Sequence, residues 1–226
     1  MRIHKLDWLD TLTLVLCVWF VFYPNPYKIL FTIILCLPII GLIVHGHSKP
    51  SLTSLITITS GKDGGTDYET ADFLVLPAII LSLRMLLDFE IESFLSLLIR
   101  GTIAFLILLV MLRLLYRNIE KGNKHRVLIY FVILTNVAIY SFAAVYGINC
   151  VYDKSNPKIY RLPVVNKSIY KGRHTTYYLK VKSWRKENHS EEISVTKDQY
   201  NTTRIGDTVK LDRQQGLLEI PWHFVE

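Results

Sequence analysis

The sequence predicts an α-helical membrane protein of about five transmembrane helices that ends in a small all-β domain. Half of its 226 residues are hydrophobic, only 20% are charged and the mean hydropathy is +0.28. A soluble domain normally carries about 25% charged residues. The apolar residues form blocks as long as a bilayer helix needs, and the pattern then changes to the alternation that is typical of strands.

Five apolar segments are predicted to cross the membrane. The first two meet at Tyr23-Pro24-Asn25-Pro26-Tyr27, where each proline lacks the N–H that would continue a helix. This bulky ending also argues against a cleaved signal peptide, which needs small residues at its cleavage site. The third and fourth segments are separated by a short acidic turn at residues 88–93. The spans lie at about 8–23, 27–44, 73–87, 94–116 and 127–148, within a transmembrane domain of residues 1–149.

Lysines and arginines in the short loops predict the orientation, because cytoplasmic loops are enriched in these residues. Arg2 and Lys5 precede the first span, and four basic residues crowd the connection at 117–126. The acidic turn contains no Lys or Arg. We therefore expect a cytoplasmic N-terminus and, after five crossings, an extracytoplasmic tail. The first span is short and carries Asp10, so the predicted side of the tail would change without it.

Residues 150–226 are predicted to form the β-domain. Period-two alternation indicates strands at about 159–170 and 175–184, and shorter ones around 193–196 and 208–212. We expect about five antiparallel strands, arranged as a meander or a small barrel. The tail is basic, with 14 Lys and Arg against 9 Asp and Glu, and such a surface faces either solvent or an anionic partner such as lipid headgroups. An extracytoplasmic location argues against nucleic acid.

Four short motifs follow one another through the tail. They are Asp153-Lys154-Ser155, Tyr177-Tyr178-Leu179 with Trp184, Gly206-Asp207-Thr208-Val209, and Gly216-Leu217-Leu218-Glu219-Ile220-Pro221-Trp222. The tail thereby resembles a family of bacterial multi-span inner-membrane proteins of no assigned function, which carry a C-terminal extracytoplasmic β-domain. The resemblance implies a bacterial source and an inner-membrane location, but no reaction. The sequence departs from the pattern at Glu219-Ile220, where a second glycine usually precedes Pro-Trp.

The sequence offers no catalytic constellation, so we expect no enzyme. There is no G-x-S-x-G elbow, and the glycines at 61–65 lack the spacing of a phosphate-binding loop. His45 and His47 lack the further ligands that a metal needs, and the three cysteines form no metal pair, so no metal or cofactor is predicted. One alternative remains in the tail, a catalytic cluster of His174, His189 and His223 near Asp153 or Asp207.

One group of charged residues stands out as a candidate site. Arg84 and Arg100 lie within the third and fourth spans, close to Asp88, Glu90 and Glu92 of the acidic turn. Arginine within a membrane span is costly, and it reaches towards carboxylates that compensate its charge. The group is either a structural ion cluster that holds the two helices together or a site for a ligand or ion.

Two functions are compatible with these features. The first is a non-enzymatic inner-membrane protein that displays its basic β-domain outside the cytoplasm, where it binds or senses an envelope protein, a toxin or a phage component. The second is a subunit of a transporter or channel, suggested by the polar residues within the spans. Five spans are few for a transporter, so the second function needs a homo-oligomer. Besides the lipid bilayer, the expected partner is a protein. Trp184 and Trp222 are predicted to lie in the core of the tail.

Overall fold

A computed structural model describes residues 7–48, 51–60, 66–116, 126–172, 175–184 and 189–225. The chain forms two compact units. We call them the helical unit, residues 1–88 and 93–152, and the β unit, residues 89–92 and 153–226. The glycine-rich segment at 61–65, most of the basic connection at 117–126, and His174 lie outside the described residues.

In the part of the helical unit that the structure describes, five long helices follow the apolar segments of the sequence. They are α1 (Asp7–Phe22), α2 (Tyr27–Ser48), α3 (Asp72–Asp88), α4 (Phe94–Leu115) and α5 (Arg126–Val151). Within the described residues, α2, α4 and α5 are long and apolar enough to cross a membrane. Helices α1 and α3 are shorter, at 16 and 17 residues. Prolines follow the end of α1, and an aspartate lies at each end of α3.

A pair of short antiparallel strands lies between α2 and α3 in the sequence. A single 3₁₀ turn precedes β1 (Ile56–Ser60), and β1 pairs with β2 (Thr66–Thr70) from Ile56↔Thr70 to Ser60↔Thr66. The alternation of Ile and Thr along β1 is the period-two signal of a strand. Its five residues are easily overlooked beside the long apolar blocks.

Glycines allow the helices to pack closely against aromatic rings. A Cβ atom on Gly41 of α2 would lie 2.3 Å from the ring of Phe73, at the start of α3. A Cβ atom on Gly147 of α5 would lie 2.3 Å from the ring of Phe31 on α2. Real Cβ atoms do not approach other atoms so closely, so both rings occupy space that only glycine provides. Small residues at helix contacts are typical of membrane bundles.

Polar groups inside the helical unit satisfy backbone groups that a helix leaves open. The carboxylate of Asp10 on α1 accepts a hydrogen bond of 3.0 Å from the backbone N–H of Phe73, in the first turn of α3. Helix N-terminal N–H groups have no intrahelical acceptor. In addition, the hydroxyl of Tyr140 on α5 donates a hydrogen bond to the backbone carbonyl of Leu35 on α2. Asp10 is therefore explained by helix packing.

Over its described residues, the β unit is built on one antiparallel sheet of six strands. In spatial order they are β3 (Glu90–Ile91), β8 (Trp222–Val225), β7 (Thr208–Gln214), β4 (Lys158–Lys171), β5 (Thr175–Lys182) and β6 (Ser190–Val195). A short helix, α6 (Lys197–Thr202), follows β6. The order departs from a simple meander, because β7 pairs with β4 and not with β6, and β3 and β6 form the two edges.

Strand β4 joins the two halves of the sheet. Residues 158–163 pair with β7, and residues 164–171 pair with β5. The register shifts between Val164 and Asn166, and a bulge of this kind bends a strand and increases its twist. One side of the resulting sheet buries the core that the alternation predicted. The core consists of Leu162, Val164, Leu179, Val181, Ile193, Val209 and Leu211, with Trp184 packed against it.

The limits of the β unit differ from the expected boundary near residue 150. Helix α5 continues to Val151, so Cys150 belongs to the helix, and the unit takes up the chain again at Asp153. The unit also includes residues 89–92 from the acidic turn, which form edge strand β3. A strand of two residues has no periodicity, which is why the sequence did not reveal it. Glu90 and Glu92 reduce the net charge of the unit from +5 for the tail alone to +3.

Candidate functional site

Arg84 and Asp88 form an ion pair in the helical unit. Nη2 of Arg84 lies 2.7 Å from Oδ2 of Asp88, one turn later on α3. The hydroxyl of Tyr27, at the start of α2, donates to the same oxygen at 2.7 Å. The guanidinium also lies over the rings of Phe20 and Tyr27, at 5.7 and 5.8 Å from their centroids. The pair therefore ties α3 to the turn between α1 and α2 through charge, hydrogen bonding and cation–π contact.

Arg100 has a different environment. Its Nη1 lies 3.4 Å from the backbone carbonyl of Ser96, one turn earlier on α4, and the side chain is half-buried. Of the five predicted site residues, the structure brings Arg84 to Asp88, and it brings Glu90 and Glu92 to one histidine of the β unit. The predicted group is thus distributed over both units of the chain.

Glu92 is the centre of a buried polar cluster in the β unit. Its side chain is only 7% exposed. Both of its carboxylate oxygens lie 3.0 Å from Nε of Arg213 on β7, and Nε1 of Trp184 donates to Oε1 at 3.1 Å. Its backbone N–H donates to the carbonyl of Pro221 at 2.8 Å. A buried carboxylate is tolerated only when it is paired and hydrogen-bonded in this way.

His223 lies next to this cluster and is 3% exposed. Its Nε2 is 3.5 Å from Oε2 of Glu90, and its Nδ1 is 3.8 Å from Oε1 of Glu92. The rings of His223 and Trp184 meet edge to face at 5.2 Å. His189, which the sequence suggested as a neighbour, is exposed and directly precedes β6. The contacts of His223 are those of a residue that fixes edge strand β3 to β8.

A third cluster joins two of the motifs that the sequence analysis recognised. Oδ1 of Asp153 accepts from the backbone N–H of Ser155 at 2.8 Å, and Oδ2 accepts from the N–H of Gly216 at 2.8 Å and from Nε1 of Trp222 at 3.0 Å. Partial burial opposes ionisation of Asp153, but these hydrogen bonds outweigh it and lower its pKa. The carboxylate of Asp153 therefore joins the Asp-Lys-Ser motif to the Gly-x-Leu-x-x-Pro-Trp motif through hydrogen bonds.

The first of the two histidines at the end of α2 is also explained by packing. His45 is buried, and its Nδ1 lies 3.0 Å from the hydroxyl oxygen of Tyr116. That hydroxyl donates to the carbonyl of Leu42 at 3.2 Å. Across the ranges that the structure describes, no group of three or more His, Cys, Asp or Glu residues is arranged to hold a metal ion.

The sequence analysis did not single out Tyr27 or Arg213 as site residues. Arg213 carried a readable signal, because Val209, Leu211 and Arg213 occupy successive inward positions of the same alternation. A charged residue at an inward position predicts a buried partner. Tyr27 carried no such signal, since its partner Asp88 is 61 residues away.

Comparison with protein-family models, with curated proteins and with solved structures finds no match to this chain.

The turn before Trp222 provides a test of local strain. Glu219 adopts a φ of 57°, in the left-handed region that favours glycine. A residue with a Cβ atom loses about 1–2 kcal/mol there, and glycine loses part of that gain through its freer unfolded chain. We expect Glu219→Gly to stabilise the β unit by up to about 1 kcal/mol. Gly206→Ala is the control: it has φ 94° and open space around it, so thermal unfolding should show a loss. A loss for Glu219→Gly would contradict the strain argument.

Variants of Arg84 distinguish a structural ion pair from an anion site. The pair is mostly buried, with side chains 16% and 22% exposed, so Arg84→Leu should destabilise the helical unit by up to about 3 kcal/mol, because Asp88 loses its counter-charge. Arg84→Lys should retain most of the folded yield. In a structural pair, Arg84→Leu combined with Asp88→Leu should recover the yield, because replacing both partners by apolar residues is often neutral. Detergent-solubilised yield and thermal stability measure this. A double variant no more stable than Arg84→Leu would contradict the structural ion pair.

Proposed function

We propose that the protein is a non-enzymatic integral membrane protein whose helices anchor a small β unit that binds or senses a protein partner outside the cytoplasm. One observation carries the proposal: three long apolar helices belong to the same chain as a separately packed β unit. The charged residues considered as a site support it, because Arg84, Asp88 and Glu92 engage other groups of the fold. In the proposed arrangement they stabilise the protein and the outer surface of the sheet meets the partner.

The proposed membrane is the bacterial inner membrane, crossed five times. Helices α1 and α3 span about 24 and 26 Å at 1.5 Å per residue, close to the lower limit for a crossing. The distribution of Lys and Arg supports a cytoplasmic N-terminus. The acidic turn and the tail then lie on the outer side. This agrees with their joint membership of the β unit.

Reporter fusions test this topology. Alkaline phosphatase is active only outside the cytoplasm, so a fusion after residue 226 is expected to be active. The matched control places the same enzyme in the connection at 117–126, where activity should be absent and a fluorescent cytoplasmic reporter should be bright. The reverse pattern at the two sites would remove the five-crossing arrangement.

Photocrosslinking in the native membrane tests the partner. A benzophenone amino acid at Tyr170, an exposed residue of β4, is expected to yield an adduct with one recurring protein. The control position is Phe131, an exposed residue of α5, which should yield lipid adducts. Adducts between copies of the chain at Phe131, with none at Tyr170, would instead favour the oligomeric transporter or channel.

A further inference from the structure

His223 is a titratable residue that the β unit buries beside two carboxylates. Its side chain is 3% exposed and lies on β8, the strand that pairs with edge strand β3. Glu90 stands directly opposite it, and Oε2 of Glu90 lies 3.5 Å from Nε2 of the ring. At the other nitrogen, Oε1 of Glu92 lies 3.8 Å from Nδ1. Each nitrogen of the imidazole therefore has a carboxylate of residues 89–92 beside it.

The protonation state of the His223 ring decides whether both contacts are favourable. A neutral imidazole has one N–H donor and one acceptor nitrogen, whereas an imidazolium has two donors. With a carboxylate beside each nitrogen, the neutral ring sets its acceptor nitrogen against an oxygen that also accepts, and the two repel each other. The imidazolium attracts both oxygens, because it brings a positive charge and an N–H group to each of them. The geometry thus matches the protonated ring.

The other charged groups in this row of the sheet leave one negative charge to be balanced. Arg213 stands directly opposite His223 on β7, but its Nε lies 3.0 Å from both oxygens of Glu92, so these two charges cancel. The carboxylate of Glu90 remains, and its ion pair is with His223. Lys158, opposite Arg213 on β4, is exposed, so solvent screens its charge. Burial favours the neutral form of a histidine, but an opposite charge within about 4–6 Å favours the charged form.

We propose that protonation of His223 strengthens the attachment of edge strand β3 to the sheet, so that the β unit holds residues 89–92 more tightly at acidic than at alkaline pH. Strand β3 lies between α3 and α4 in the chain. The pH therefore sets how firmly the tail holds the connection between these two helices. All of the groups involved belong to the β unit, so the inference does not depend on membrane insertion. It adds a response to protons to a unit that is proposed to bind a protein.

The direction of the pH dependence follows from where the proton is held more tightly. The folded protein binds the proton of His223 more tightly than the unfolded chain does, because only the folded protein brings the two carboxylates to the ring. The stabilisation is therefore complete below about pH 6.5, where a histidine of the unfolded chain is also protonated. It is lost as the pH rises through the titration of the folded protein. Carboxylates ordinarily lose their charge below about pH 4.5, so the measurement begins above that value.

Backbone hydrogen exchange of the full chain in detergent, at about pH 5.5 and about pH 8.5, tests the proposal. The intrinsic exchange rate at each pH is divided by the observed rate, which gives the protection of each segment. Protection of Ile91 and of β8 should be about three- to ten-fold higher at the acidic pH, the change that a difference of half a unit to one unit in proton affinity produces. Helix α5 of the helical unit is the internal reference and should be protected equally at both values.

Three variants assign the effect to the ring. His223→Gln retains a polar side chain that does not titrate in this range, so the pH dependence should disappear. His189→Gln is the matched control, because His189 is an exposed histidine of the same unit, and it should retain the dependence. Glu90→Gln supplies a second test that leaves the ring in place. It should keep wild-type protection at the alkaline pH, where the ring is neutral, and lose part of the gain at the acidic pH.

Four results would overturn the inference. Equal protection of β3 and β8 at both pH values, or higher protection at the alkaline pH, would show that the fold does not favour the protonated ring. An unchanged pH dependence in His223→Gln would assign it to another group. A full gain in Glu90→Gln would show that the ring does not act through the carboxylate of β3. None of these results bears on the proposed membrane protein, which the reporter fusions and crosslinks test separately.

Discussion

Trp222→Ala is expected to unfold the β unit while the helices still insert into the membrane. Trp222 is 6% exposed, and its ring meets Phe89 edge to face at 5.1 Å and lies 5.9 Å from Phe224. Its indole N–H also donates a hydrogen bond to the carboxylate of Asp153. Truncating a buried aromatic residue costs about 3–5 kcal/mol. A unit this small is stabilised by about that amount in total.

Limited proteolysis of the reconstituted protein measures this effect. In Trp222→Ala the protease should cleave the tail rapidly. The helical fragment that the membrane protects should have the same size as the one from wild-type protein. Tyr170→Ala is the matched control, because Tyr170 is an aromatic residue of the same unit that is 59% exposed. Trp222→Phe should fall between the two, since it retains a ring and loses the hydrogen bond to Asp153. Equal resistance of Trp222→Ala and Tyr170→Ala would contradict the packing role of Trp222.

Glu92→Gln is expected to detach edge strand β3 from the sheet. The substitution retains the shape of the side chain but removes the charge that Arg213 faces. Removing one partner of a buried ion pair costs about 3–5 kcal/mol, and Arg213 is 27% exposed and reaches solvent in part, so we expect a loss of about 2–4 kcal/mol. Glu90→Gln is the control, because the carboxylate of Glu90 is 52% exposed.

Hydrogen exchange of the backbone in reconstituted protein locates the effect. Glu92→Gln should increase exchange at Ile91 and across β8, while β5 and β6 retain their protection. Glu92→Leu combined with Arg213→Leu should restore part of the protection, because an apolar pair leaves no charge buried. If Glu92→Gln exchanges like wild-type protein, the buried pair contributes little to the attachment of β3.

The helices and the main strands could be predicted because each repeats a local pattern many times. Apolar blocks mark α2, α4 and α5, and the alternation in β4 and β5 places both strands within about two residues of their observed ends. The pairing of β1 with β2 was not predicted, and β3 could not be, because two residues hold no period. Their positions depend on partners elsewhere in the chain.

In the candidate site, too, local pairs could be predicted from the sequence and long-range pairs could not. Arg84 and Asp88 are four residues apart on one helix, a spacing that places two side chains side by side. Glu92 was chosen for its charge, but its partner Arg213 is 121 residues away in the sequence. Distance along the chain carries no information about such a pair. The only available signal was the inward position of Arg213 on β7.

Edge strand β3 imposes an order on the biosynthesis of the protein. A ribosome completes Glu90 and Ile91 before it makes α4 and α5, and it completes their partners Trp222 and His223 only after both helices. Strand β3 therefore has no pairing partner until two further helices and β8 have been synthesised. Contacts so distant in sequence form slowly. The sheet consequently closes only after the helices have been made, and residues 153–226 expressed alone would lack both β3 and the carboxylate that Arg213 requires.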